Sequence, residues 1–194
     1  MLTYNKTTDE PRLTITYDQT PESPRNWTNL GYFITKDSRH NSPDSHEGME
    51  RIVATTGDIA DSQEHHIKLI KEEIEEQTDL KVLAIYPVTK YEHGGVSYSL
   101  GTRHGFDYSN NGFYIVTDKG QEEAGIKTKD FEKTIKAELA VFTQWCNGEV
   151  YQFTLYDNNG EHEDSCSGFY DIADIREHLP EEFKDEDLQD YFTN

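Results

Sequence analysis

The chain has 194 residues, with 18 Lys and Arg against 38 Asp and Glu, for a formal charge of −20. Binding to nucleic acid by counterion release needs basic side chains facing phosphates, so this balance excludes direct DNA or RNA binding and, for the same reason, attraction to anionic membranes. Nine Phe and twelve Tyr exclude global disorder and suit one domain over 1–194, with 1–11 and about 180–194 as peripheral segments.

The start from Met1 to Pro11 is polar and reads as a lead-in without a signal core. Arg12–Asp18 alternates Leu13, Ile15 and Tyr17 with Thr14 and Thr16, the pattern of a half-buried strand. Thr20–Gly31 contains Pro21 and Pro24, which hold their predecessors extended, so a rigid loop is expected before a short strand at Tyr32–Thr35. Lys36 to about Gly57, with His40, Asn41, Pro43, Asp44, His46 and Gly48, reads as a long polar loop. A helix capped by Asp61 or Ser62 then runs to about Thr78, with Ile67, Ile70 and Ile74 on one face.

Leu80–Thr89 reads as a core strand, Tyr91–Gly95 as a turn, and Val96–Leu100 as its partner. Gly101–Gly112 is a second irregular loop, Phe113–Thr117 an apolar strand, and Asp118–Lys127 a polar connector. From Thr128, a fitting N-cap, Phe131, Ile135, Leu139, Phe142 and Cys146 recur at helical spacing up to Asn147-Gly148. Glu149–Tyr156 and Glu163–Tyr170 flank Asp157-Asn158-Asn159-Gly160, a strong hairpin signal. Ile172–Leu179 reads as a short helix and Leu188–Phe192 as a terminal turn. The expectation is an α+β fold: an antiparallel or mixed sheet of about six strands, two main helices packed on it, and an acidic C-terminal extension. Glu161–Asn194 holds twelve acidic and two basic residues, so half the net charge sits in the last sixth of the chain.

Two cysteines, Cys146 and Cys166, make neither a disulfide framework nor a zinc pattern, and no apolar run reaches 18 residues, so a cytoplasmic protein with reduced thiols is expected. A phosphate-binding glycine loop, a nucleophile elbow and a His-Glu-x-x-His helix are missing from the sequence. His65 and His66 are adjacent, hence about 100° apart on a helix, and cannot chelate one ion from one face. Neither a metal nor a cofactor is expected. The polar loops hold Arg25 and Trp27; Glu92 and His93; Arg103, His104, Asp107, Tyr108 and Ser109. Asp164, Ser165 and Cys166 end the hairpin. Converged, Arg25, His93, Asp107 and Cys166 would supply a guanidinium, an imidazole, a carboxylate and a thiol for acid–base or nucleophilic work.

The run Tyr17-Asp18, Ser23-Pro24-Arg25, Trp27-Thr28-Asn29-Leu30-Gly31 resembles the N-terminal arrangement of a group of uncharacterised proteins from phages and mobile elements of mainly Gram-positive bacteria. Tyr91-Glu92-His93-Gly94-Gly95, Gly148–Tyr151 and Asp164–Tyr170 are similar to that group's later motifs, in the same order. The chain departs from it at Phe106–Gly112, where a Trp-Asp-Ser-Gly run belongs. The resemblance implies a context, an accessory gene product acting in a host bacterial cytoplasm, and no activity.

The first functional expectation is therefore a non-enzymatic acidic accessory protein that binds and inhibits or modulates a host protein with a basic surface. Such a partner would handle nucleic acid or serve in defence, and the protein would act in the manner of a DNA mimic. Its binding residues are expected among Arg25, Trp27, His93, Asp107, Asp164, Ser165, Glu181, Glu182, Asp185, Glu186 and Asp187. The alternatives are a small hydrolytic or nucleotide-acting enzyme built on Arg25, His93, Asp107 and Cys166, and a binder of a small ligand or signalling nucleotide using Trp27 with Arg25 or Arg103.

Overall fold

The computed structural model describes residues 12–36, 42–46 and 48–193; the lead-in 1–11, and His40 and Asn41 of the first long loop, lie outside them. In chain order the elements are β1 (Leu13–Tyr17), β2 (Gly31–Thr35), α1 (Met49–Ile59), α2 (Gln63–Gln77), β3 (Val82–Glu92), β4 (Val96–Leu100), β5 (Tyr108–Thr117), α3 (Asp118–Ala124), α4 (Phe131–Cys146), β6 (Tyr151–Tyr156), β7 (His162–Phe169) and α5 (Ile172–Ile175). They divide into two compact units, Ser23–Thr143 and the pair of segments Met1–Glu22 with Gln144–Asn194.

The fold is α+β, as expected, but its strands form two sheets rather than one of about six. Alternation along a strand says which face is buried, not which strand lies beside it. Thus Leu13 and Ile15 pair with Leu155 and Phe153, about 140 residues away in the chain, and take β1 out of the larger sheet.

In the Ser23–Thr143 unit four antiparallel strands are ordered β2-β5-β3-β4. Ile34, Val82, Phe113 and Ile115 of the sheet bury against Met49, Ile52 and Val53 of α1 and Ile70 and Ile74 of α2. The sequence reading missed α1, although Met49, Ile52, Val53 and Thr56 sit at i, i+3, i+4 and i+7 and are all buried. Its start lacks a side-chain cap, because Gly48 stands there in the left-handed conformation, and Gly57 dilutes the pattern near its end. α2 follows the expectation, with the Ser62 hydroxyl accepting from the His65 N–H.

The connector before α4 contains α3, capped by Thr117 and closed by left-handed Gly125. β5 begins five residues earlier than Phe113, because β3 continues through a register shift at Val88/Lys90 and pairs Lys90 with Ser109 and Tyr91 with Tyr108. Asn110-Asn111-Gly112, which reads as turn chemistry, is therefore inside a strand. Phe131, Ile135, Leu139 and Phe142 of α4 are buried as the spacing requires.

Within the α1–α2 pair, His66 Nε2 lies 3.0 Å from the Val53 carbonyl and its ring stands edge-on to Phe113. Burial, and then the nearby Lys36 charge, hold the His66 imidazole below its ordinary pKa of 6.5, against the Val53 carbonyl, which raises it. A depressed folded-state pKa means that the unfolded chain binds the proton first, so stability falls as pH drops below about 6.5. Thermal melts from pH 7 to pH 5 should therefore show a shallower loss of Tm in His66→Gln than in the native protein. Parallel losses would remove His66 from the account.

The second unit pairs β1-β6-β7 in an antiparallel sheet. Its hairpin turn is built as expected, the Asp157 carboxylate accepting from the backbone N–H of Asn159 and Glu161. The expected acidic extension is corrected here, because the segment after Asp171 is folded. It forms α5 and short 3-10 turns at Arg176–His178, Glu181–Phe183 and Leu188–Tyr191. Ile175, Leu179, Phe183 and Leu188 bury against Leu13, Ile15, Phe153 and Leu155. Each such side chain contributes about 1.5–3 kcal/mol, enough to hold a strongly charged segment down. Steps of four, four and five residues between these anchors leave the intervening positions outside. All twelve acidic residues from Glu161 to Asp190 are exposed.

Candidate functional site

The loop Ser23–Gly31 builds a densely connected polar group among the described residues. The Ser23 hydroxyl accepts from the Arg25 N–H and Pro24 opens a 3-10 turn, which points the Arg25 side chain inward. There Arg25 Nε donates to Asp44 Oδ1 at 2.9 Å and Nη2 to Asp44 Oδ2 at 2.6 Å, a two-pronged pair. Nη2 also donates to the Gly31 carbonyl at 2.8 Å, and Nη1 to Asn29 Oδ1 at 3.0 Å and Glu138 Oε2 at 3.2 Å. A guanidinium has five N–H donors, and these five bonds occupy them.

The side chain of Arg25 is 3 % exposed and its guanidinium lies 5.4 Å from the centre of the Tyr114 ring. Burial pulls its pKa down, but the Asp44 hydrogen bonds and charge, with Tyr114 and Glu138, more than offset this and leave it above the ordinary value. The Tyr114 hydroxyl donates to Glu138 Oε2 and accepts from the Gly31 N–H. Burial, then the Glu138 charge, raise the Tyr114 pKa well above that of a free phenol.

The cluster closes the outer edge of β2. Gly31 N–H and carbonyl go to Tyr114 and Arg25; Phe33 N–H goes to Asp44 Oδ2 and its carbonyl accepts from the Asp44 N–H; Thr35 N–H goes to the Ser42 hydroxyl. Gly31 itself cannot carry a side chain, since a Cβ would stand 2.2 Å from the Ile115 carbonyl oxygen. Arg25 is thus a structural cation, and Asp44, Tyr114 and Glu138 are its partners. Sequence reasoning placed Asp44 in an irregular loop and gave Tyr114 and Glu138 no role beyond their elements. Only their proximity in space marks them.

Trp27, 47 % exposed, stands beside an open cleft of about 380 Å³ shared with Asn26, Thr28, Tyr32, Ser45 and Glu123. Arg25 borders this cleft, but with its donors occupied it offers a ligand no guanidinium N–H. His93 and Asp107 do meet, Nδ1 to Oδ2 at 3.4 Å, beside the tilted ring pair of Tyr91 and Tyr108. His93 is 74 % exposed, so the pair is worth little energetically. The backbone of Arg103 is pinned through its N–H and carbonyl to the Asn110 side chain.

Asp164, Ser165 and Cys166 lie on β7, in the other unit, with Cys166 Sγ 3.8 Å from the Ser167 carbonyl and Ser165 Oγ 3.2 Å from His162 Nε2. The four alternative catalytic residues therefore fall into His93 with Asp107, Arg25 in its own cluster, and Cys166 on β7.

Glu181, Glu182, Asp185, Glu186 and Asp187 are exposed on the folded C-terminal segment. Lys184 pairs with Glu181 at 2.7 Å and Arg12 with Glu182 at 2.8 Å. Arg176, the other base of this segment, donates instead to the carbonyls of Lys184 and Glu186. Its charge knits the backbone together and leaves the carboxylates largely unneutralised.

Among the described residues no group of three or more His, Cys, Asp and Glu could hold a metal ion, and no helix is long and apolar enough to cross a membrane. No family model, curated protein or solved structure matches the chain.

Proposed function

We propose that this is an acidic binding protein whose target is a basic protein surface of the kind that handles nucleic acid, and that the surface presented by Glu161–Asp190 makes the contact. The observation that carries this reading is the geometry of that segment: twelve exposed carboxyl-bearing residues on a backbone pinned by Ile175, Leu179, Phe183 and Leu188. Charges on an ordered backbone meet a partner without the ordering cost that a disordered acidic tail incurs. The phage-like context suggested by the sequence fits a role as an inhibitor of a host or defence protein in a bacterial cytoplasm. Glu181, Glu182, Asp185, Glu186 and Asp187 are the contact residues proposed, with Asp164 and Ser165 at the adjoining strand.

Electrostatic association of this type is screened by salt, because the Debye length falls from about 10 Å at 0.1 M to about 3 Å at 1 M. Capture from a bacterial lysate on the immobilised protein should therefore retain a basic protein at 0.1 M salt and release it at 1 M. Retention that is equal at both salt concentrations would contradict the reading.

A further inference from the structure

Among the described residues the two sheets have four edges, of which two are closed by neighbouring segments and a third is held at one position. β2 is capped by Asp44, Ser42, Tyr114 and Arg25. β1 is covered by the C-terminal segment, where Thr193 N–H donates to the Ile15 carbonyl at 2.8 Å and Phe192 bridges Ile15 in parallel. β4 has its Tyr98 N–H held by the Thr143 hydroxyl at 3.1 Å. The fourth edge, β7, pairs with β6 on one side, and on its other side no strand is seated among the described residues. Every residue from His162 to Gly168 is exposed.

An open edge is a template for another strand, and proteins ordinarily block one with Lys, Pro or a covering segment. β7 has no Lys and no Pro, and its regular stretch, Asp164 to Ser167 opposite Leu155 to Gln152, lies between two register shifts. Along this edge Ser165 N–H reaches the Asp164 carboxylate at 2.8 Å, and Arg12, next to β1 in the chain, approaches Glu163 at 3.9 Å. Glu161, Glu163 and Asp164 make this edge acidic and continue the surface described above.

We propose that β7 is a strand-addition site that takes an extended basic segment of the partner protein, pairing main chain to main chain along its regular stretch, residues 164–167. Lys or Arg at alternate positions of the incoming strand share one face and meet Glu163 there, while Asp164 stands on the opposite face. A second copy of this chain is disfavoured as occupant by the net charge of −20. This inference rests on the acidic-surface reading and adds to it a backbone-directed mode and a place.

The test uses the full-length protein and synthetic twelve-residue peptides of alternating Lys and Thr, unmodified or N-methylated at every second residue in either alternation, and an alternating Glu-Thr peptide. The Lys-Thr peptide should bind and slow hydrogen exchange of the amides in residues 164–167. One N-methylated alternation should weaken binding at least tenfold, and the Glu-Thr peptide should not bind.

N-methylated peptides that all bind within twofold of the parent would overturn strand addition while leaving the acidic-surface reading intact. Failure of the salt test above would instead remove the wider reading. Failure of the Lys-Thr peptide to bind, protection confined to amides outside β7, or protection of β7 on concentrating the protein alone would each overturn the proposal.

Discussion

Replacing Arg25 by Met should destabilise the Ser23–Thr143 unit by about 3–5 kcal/mol, because it leaves two buried carboxylates without their cation. Asp44 and Glu138 have side chains only 12 % and 17 % exposed, and both direct oxygens at the lost guanidinium. The outward groups of β2 lose their closure at the same time, since Asp44 is held in place by the same bonds. Arg25→Lys should recover only part of the loss, because an ammonium cannot make the two-pronged contact with Asp44 while also reaching Asn29, Gly31 and Glu138. Urea denaturation followed by tryptophan fluorescence, with Trp27 beside the cluster, measures both variants. A loss under about 1 kcal/mol in Arg25→Met would show that the cluster is not what holds this edge, and would reopen Arg25 as a group available to a ligand.

Phe183→Ala should cost about 3–5 kcal/mol as well, the range for emptying a buried aromatic position. Phe183 stands edge-on to Tyr191 at 5.7 Å between centroids, and the Arg12 guanidinium lies 6.0 Å from its ring centre. It is the middle anchor among Leu179, Phe183 and Leu188, so its loss should free the segment carrying Glu181 to Asp190 before the sheet itself unfolds. Limited proteolysis should then cut between residues 180 and 190 in the variant under conditions that leave the native chain whole. If the native protein is cut there equally fast, the segment is a tail and the account of a rigid acidic face fails.

Local elements were legible where one chemical signal dominated. Ile67, Ile70 and Ile74 of α2, Phe131 to Phe142 of α4, and the Asp157–Gly160 turn behaved as their spacing and turn chemistry require. Partners distant in the chain were not legible. Leu13 pairs with Leu155, and Arg25 with Asp44 and Glu138, through contacts that leave no periodic trace in the sequence. The acidic C-terminal segment was misread for a related reason. Its anchors are spaced for 3-10 turns and irregular backbone, so Leu179, Phe183 and Leu188 make no helix or strand pattern, and the charges between them dominate the composition. Arg25, expected among the binding residues and in the alternative catalytic set, is instead buried with five occupied donors. Asp164, Ser165 and the carboxylates from Glu181 to Asp187 stand where a partner can reach them.

The central claim is that the ordered acidic face, and not the polar loops of the other unit, engages the target. The most direct measurement is capture of basic proteins from a bacterial lysate by the native chain and by the triple variant Asp185→Asn, Glu186→Gln, Asp187→Asn, each with and without excess duplex DNA. The account predicts a protein retained by the native chain, displaced by the DNA and lost from the variant while the variant's melting temperature is unchanged. Equal retention by the variant, undisturbed by DNA, would contradict it.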